Sequence, residues 1–174
     1  MTARRARTDI SWHGCRVAVL TVSDSCARGL KKDESGRVLR VLLEQRGADV
    51  VAADIVADDK RGITGFLKRY AGKNRVDLVL TTGGTGLGPR DVTPEATRSV
   101  LDKEAPGLSE WIRARGAAKT RRAVLSRGVC GLKRRTLIVN LPGSPKGAAE
   151  SFEAVADIIP HALAMARGEG HGRS

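Results

Sequence analysis

Between Thr81 and Thr97 the chain reads TTGGTGLGPRDVTPEAT, with four glycines in the six residues from Gly83 to Gly88. Glycines at this density let the backbone take positive φ and bring its N–H groups close to a ligand, an arrangement suited to anionic oxygens. The pattern is neither G-x-G-x-x-G nor a Walker A loop, since no Gly-Lys-[Ser/Thr] follows at the required spacing. A tight turn accounts for one or two glycines. Four of them, Gly83, Gly84 and Gly86 among them, flanked by Thr82, Thr85, Arg90 and Asp91, point to a phosphate or nucleotide loop. Asp91 is the first carboxylate to consider, because it follows the loop and precedes a helix start, where it could hold Mg²⁺ against phosphate oxygens. As a helix cap it is a weaker candidate than Thr93, which stands directly before Pro94.

Other polar residues fall at comparable places. Asp58 is a candidate second carboxylate, while Asp59 beside it serves equally well as the cap of the next helix. Lys146 and Arg90 can pair with phosphate, or lie in solvent. Asn140 can hydrogen-bond a ring or ribose, or its own turn. Ser23 and Ser144 can donate to phosphate, or satisfy local backbone. His13, His161 and His171 form no metal-binding spacing and no partner for a cysteine nucleophile, and no G-x-S-x-G elbow is present, so a zinc enzyme or triad hydrolase is disfavoured.

The elements that must position these residues alternate between strand and helix. Apolar, β-branched runs at 16–22, 49–56, 76–82 and 136–141 read as strands. Helical patterns cover about 33–46, with Asp33 as cap and Gly47 past the end, about 60–70, a helix from Thr93, two stretches near 107–115 and 119–127, and a last helix over about 146–167. Such alternation implies an α/β three-layer sandwich: an open, mostly parallel sheet with helices on both faces. Ser23–Ser25, Asp58–Asp59, Gly83–Gly86 and Pro142-Gly143-Ser144-Pro145 each follow the carboxyl end of a strand, the edge where open α/β sheets bind ligands.

The chain has 174 residues, 31 Lys+Arg against 19 Asp+Glu, and a net charge of +12, a length suited to one domain. The expected division is a solvated arm over 1–14, one domain over 15–167 and a frayed tail over 168–174. Apolar runs are too short to span a membrane, and no apolar segment follows Arg4, Arg5 and Arg7 as a signal peptide requires. With three cysteines and no C-x-x-C, a reducing, cytoplasmic setting is expected. From Trp111 to Ala149 there is no acidic residue, so the basic residues there form either a solvated face or a cationic rim that gathers a polyanion. Aromatics are 3% of the chain, too few for a base-stacking platform, and no specific nucleic acid is expected.

TTGGTGLGPRDVTPEAT, together with VSDS at 22–25, DESG at 33–36, LSR at 125–127 and NLPGSPK at 140–146, closely resembles the MogA/MoaB family of molybdenum-cofactor biosynthesis, and is similar to the G domain of gephyrin. The resemblance implies a molybdopterin-binding domain that assembles as a homotrimer. It also implies Mg-ATP-dependent adenylylation of molybdopterin to give adenylyl-molybdopterin and pyrophosphate, with hand-over to a separate molybdate-insertion protein. Carried over motif by motif, it places Gly83, Gly84, Thr85 and Gly86 on the family's ligand loop and makes Asp91 and Asp58 its functional carboxylates. Ser23, Asn140, Pro142, Gly143 and Ser144 fall on further contact loops. A molybdopterin-binding or scaffold role without turnover is the alternative.

Overall fold

The computed structural model describes residues 11–72 and 76–169; residues 1–10, 73–75 and 170–174, which hold most of the expected arm and tail, lie outside the described residues. Six strands run β1 (Arg16–Val22), β2 (Asp49–Val56), β3 (Leu78–Thr82), β4 (Lys103–Glu104), β5 (Cys130–Lys133) and β6 (Thr136–Leu141). They form one sheet in the order β2-β1-β3-β6-β5-β4. The first four of that order are parallel, while β5 lies antiparallel to both β6 and β4. Parallel strands covered on both faces are apolar throughout rather than alternating, which is why RVAVLTV and TLIVNL read as unbroken runs.

Period-two geometry divides each strand between two cores. Val17 and Val19, Leu78 and Leu80, and Leu137, Val139 and Leu141 face the larger one, against Leu39 and Leu43 of α2 (Glu34–Gln45), Ile112 of α5 (Pro106–Ala117), Phe152 of α6 (Pro145–Glu153) and Leu163 of α7 (Ile159–Arg167). Ala18, Leu20, Val79 and Ile138 face the smaller one, with Ile63 and Leu67 of α3 (Lys60–Ala71) and Ala96 of α4 (Thr93–Arg98). Each fully buried Leu, Ile or Phe in these layers contributes roughly 1.5–3 kcal/mol. Trp12, expected within the solvated arm, is instead part of the larger core. Its ring lies 5.7 Å from that of Phe152, and its indole donates to the carbonyl of Ala156.

Local signals explain most helix starts. The Asp33 carboxylate accepts from Gly36 N–H at 2.8 Å and from the Thr21 hydroxyl at 2.8 Å. A Cβ at position 36 would come within 2.2 Å of that carboxylate, so the DESG motif is a cap with room cut for its own acceptor. Asp59 caps α3 through Gly62 N–H, and Gly47 closes α2 at φ +82.

Several expectations need correction. The stretch 119–127 is a 3₁₀ turn over Arg121–Leu125, not a helix, and the antiparallel pair β4–β5 around it escapes the sequence pattern. β4 is two charged residues, and Gly131 of β5 weakens the strand signal while allowing the backbone of Lys103 to approach. The single last helix is two, parted over 154–158, and Pro160, at the second position of α7, has no N–H to give the carbonyl of Ala156 as an unbroken helix would require. Thr93 is the first residue of α4 rather than its cap, and its hydroxyl donates to the carbonyl of Gly83. Finally, Ser23–Ser25 does more than end β1, since Ser23 caps a short helix α1 (Asp24–Ala27).

In the β5–β6 turn, Arg134 takes φ +56, a left-handed conformation that costs roughly 1–2 kcal/mol for a residue with a Cβ. Its N–H, which donates to Asp102, would survive in glycine. Arg134→Gly is therefore expected to stabilise the fold by about 0.5–1 kcal/mol, a rise of a few degrees in melting temperature. A fall on calorimetry would show that the Arg134 side chain contributes more than its backbone strain costs.

Candidate functional site

β1 has β2 on one side and β3 on the other, so the strand order switches direction between β1 and β3. A cavity of about 320 Å³ opens there, above the carboxyl ends of the strands. Ser23, Asp58, Thr82, Gly83, Gly84, Asp91 and Gly143, all expected from sequence, line it. Thr21 and Val22 of β1 and Pro145 of α6 add to the wall, and the rest comes from the segment after β1 and the start of α2, including Cys26, Lys31, Lys32, Asp33, Glu34 and Ser35.

The glycine turn forms the base of the site because only glycine fits. Gly83 has φ +104, and a Cβ there would lie 2.2 Å from the carbonyl oxygen of Val22. Gly84 has φ +63, with Thr93 Oγ1 2.4 Å and Asp58 Oδ1 3.2 Å from the position a Cβ would take. Asp91 closes the far side of the loop, its Oδ2 accepting from Gly88 N–H at 2.7 Å. Arg127 holds the loop from below. Its Nε donates to the Gly86 carbonyl at 2.7 Å and its Nη2 to the Asp91 carbonyl at 2.6 Å, while Nη1 pairs with Glu95. The role of Arg127 was missed from sequence; its signal was the LSR motif, remote in sequence from the loop it supports.

Asp24 and Asp58 join the ends of β1 and β2 by a reciprocal pair of bonds, Asp24 N–H to Asp58 Oδ2 at 2.8 Å and Asp58 N–H to Asp24 Oδ1 at 3.0 Å. Arg90 grips Asp24 from the loop, with Nη2 2.9 Å from both carboxylate oxygens. That guanidinium holds the Asp24 carboxyl below its ordinary pKa. Asp58 moves the other way, raised by burial and then by the charges of Asp24 and Asp91.

Folding favours such a raised carboxyl only while it is protonated. Its contribution is present below the ordinary carboxyl pKa and is lost as pH rises through the raised value. Asp58→Asn keeps an acceptor for Asp24 N–H, so it is expected to raise the melting temperature at about pH 7 by roughly one to three degrees and leave it unchanged near about pH 3. Equal shifts at both pH values, read by calorimetry, would exclude charge as the cause.

Other expected residues serve the scaffold. Asn140 is buried, its amide donating to the hydroxyls of Thr81 and Thr97 and its oxygen accepting from Val129 N–H, so it joins β3, α4 and the chain before β5 instead of reaching a ligand. Thr82 donates to the carbonyl of Pro142 at 2.7 Å, and Ser144 caps α6 through Gly147 N–H. Thr85, Gly86, Arg90, Pro142, Ser144 and Lys146 do not line the cavity.

Of the two readings of the basic stretch, the cationic rim does not hold at this cavity. Arg113 donates to the carbonyls of Ser126 and Gly128, Lys119 pairs with Glu150, and Lys133 pairs with Asp102. None of the basic residues between 113 and 146 lines the cavity. Two of the cysteines are buried, and burial pushes the thiols of Cys15 and Cys130 up to about 12, which leaves them inert. Among the described residues no three acidic, His or Cys side chains converge into a preformed metal cluster, and no helix is long and apolar enough to cross a membrane.

Residues 18–161 match the family model described as a probable molybdopterin binding domain. The molybdenum cofactor synthesis protein cinnamon of Drosophila melanogaster is 46% identical over 146 residues, 83% of this chain but only 24% of that protein. A molybdopterin adenylyltransferase of Helicobacter pylori (strain J99) is 37% identical over 154 residues, 87% of this chain and 88% of the enzyme. Among solved structures, the molybdopterin biosynthesis enzyme MoaB of Thermus thermophilus superposes with a TM-score of 0.84 at 51% identity, covering 88% of this chain and 96% of that one.

Proposed function

The chain belongs to the family of probable molybdopterin binding domains, and from that premise we propose that it acts in molybdenum cofactor biosynthesis as a molybdopterin adenylyltransferase, with ATP as cosubstrate. The observation that carries the reading is the switch-point cavity, where a glycine turn, Asp58 and Asp91 meet. In the reaction, a terminal phosphate oxygen of molybdopterin attacks the α-phosphorus of ATP. The bond from that phosphorus to the bridging oxygen breaks, and pyrophosphate leaves with the electron pair. No side-chain nucleophile is required. The protein's task is to bring two anions together in line and to offset their repulsion.

The donor set fits Mg²⁺. The cavity presents four carboxylates, Asp33, Glu34, Asp58 and Asp91, against two lysines, so a polyanion entering alone would meet an acidic wall. Mg²⁺ is commonly held by one or two carboxylates plus substrate phosphates, and it does not need a ready-made cage. Asp58 and Asp91 would hold it, and it would supply charge neutralisation at the phosphates. Asp33 is already committed to capping α2, and the Arg127 contacts keep Asp91 at the mouth of the glycine turn.

Incubation of the protein with molybdopterin and Mg-ATP is expected to yield adenylyl-molybdopterin and pyrophosphate. Bound molybdopterin without product would make the chain a carrier or scaffold of the same fold, and neither binding nor product would end the reading. A homotrimer, a separate molybdate-insertion protein as recipient, and a cytoplasmic location belong to the same proposal. Sedimentation and co-purification with the recipient test the first two.

A further inference from the structure

Lys31 and Lys32 are the cationic side chains that line the cavity, and sequence reasoning did not single them out. Neither is in an ion pair among the described residues. Their side chains are exposed, whereas the floor opposite them, Thr82 and Gly83, is buried. The backbone that carries them is fixed at both ends. Gly29 N–H donates to Cys26 and Leu30 N–H to Ser25, both at 2.9 Å, while Glu34 N–H donates to Lys32 and Asp33 is held by Thr21 and Gly36. Two unpaired ammonium groups are thus held at the rim of a cavity whose other charges are acidic.

We infer that Lys31 and Lys32 form the polyphosphate wall of the site, taking the β- and γ-phosphates of the nucleotide and so the pyrophosphate that leaves. The inference rests on the adenylyl-transfer reading above. In that reaction the α-phosphoryl group stays with the acceptor and belongs at the buried glycine turn. The diphosphate must depart to solvent and belongs at the rim. As the phosphorus–oxygen bond breaks, the electron pair and its charge pass to the leaving pyrophosphate, and two ammonium groups stabilise that charge where it develops. Lysine suits the task, because a point charge on a flexible stem follows a departing group without fixing its orientation.

Calorimetric titration of the full chain with pyrophosphate, Mg-ATP and AMP tests this, using the wild type, Lys31→Gln/Lys32→Gln and Lys31→Arg/Lys32→Arg. The glutamine pair is expected to weaken pyrophosphate and Mg-ATP binding about tenfold at low ionic strength, with the loss shrinking as salt screens the charges, and to change AMP binding less than about twofold. The arginine pair should stay within about threefold of the wild type, since charge is what is required. If the wild type binds pyrophosphate and Mg-ATP and the glutamine pair binds them equally well, the lysine wall is overturned while the adenylyl-transfer reading stands. Equal losses for AMP and Mg-ATP would also overturn it, because the effect would not follow the diphosphate. If the wild type binds none of the three, both readings fall together.

Discussion

Asp91→Ala is expected to lower adenylyl-transfer by about a thousandfold or more while the melting temperature falls by only a few degrees. The two effects separate because the carboxylate has two separable roles. Structurally, it accepts one hydrogen bond, from Gly88 N–H, at a loop that Arg127 independently pins through the carbonyls of Gly86 and Asp91 itself. Losing one half-exposed bond of that kind costs about 1 kcal/mol. Chemically, Asp91 is one of two carboxylates placed to hold a cation against the phosphates, and its loss leaves Asp58 alone in that task. Asp91→Asn isolates the second role, since an amide oxygen can still accept from Gly88 but carries no charge. Loss of turnover in both variants with near-normal melting supports the assignment. Turnover within about tenfold of the wild type in Asp91→Ala would remove the residue from the mechanism.

Gly83→Ala is expected to destabilise the fold by about 3–5 kcal/mol, combining backbone strain with overpacking, and to abolish nucleotide binding. The added methyl would sit 2.2 Å from the carbonyl oxygen of Val22, and φ is +104. That oxygen belongs to β1, an inner strand of the sheet, so the backbone itself would have to move. A chain of this length should lose on the order of 10 °C in melting temperature. Gly65→Ala is the control. Position 65 lies within α3 with no atom within 4 Å of its Cβ, so alanine there should stabilise by up to about 1 kcal/mol. Similar melting temperatures for the two variants would refute the steric account of the loop.

The elements legible in the sequence are those whose signals are local. β1 and β6 announce themselves as apolar runs because both faces are covered, and α2 and α3 because Asp33 and Asp59 cap them. β4 and β5 gave no such signal. β5 exists through pairing with β6, whose pattern is complete without it, and β4 through pairing with β5. The candidate site was legible where close packing or charge calls for a distinctive residue type, at Gly83, Gly84, Asp58 and Asp91, which line the cavity. It was misread at Asn140, because an asparagine at a strand end looks the same whether it faces a ligand or ties three elements together. The strand-end logic that located the glycine loop also reaches Lys31 and Lys32 when it is followed through the segment after β1. Those two lysines are masked in the sequence by the longer basic stretch after Trp111, where several side chains are engaged with carbonyls and carboxylates.

The bond from the Trp12 indole to the carbonyl of Ala156 spans 144 residues. It closes the larger core, which also needs Leu137, Val139, Phe152 and Leu163, whereas the smaller core lacks only Ile138 once residue 101 has been made. A chain growing from the ribosome can therefore close one side of its sheet early and must wait for the other. During that wait the sheet face carrying Val17, Val19, Leu78 and Leu80 has α2 but lacks Phe152 and Leu163 to cover it, for roughly 3–13 s at synthesis rates of about 5–20 residues per second. The nascent chain thus exposes a sticky face until α7 has been made, and burial of Trp12 marks the moment at which that exposure ends.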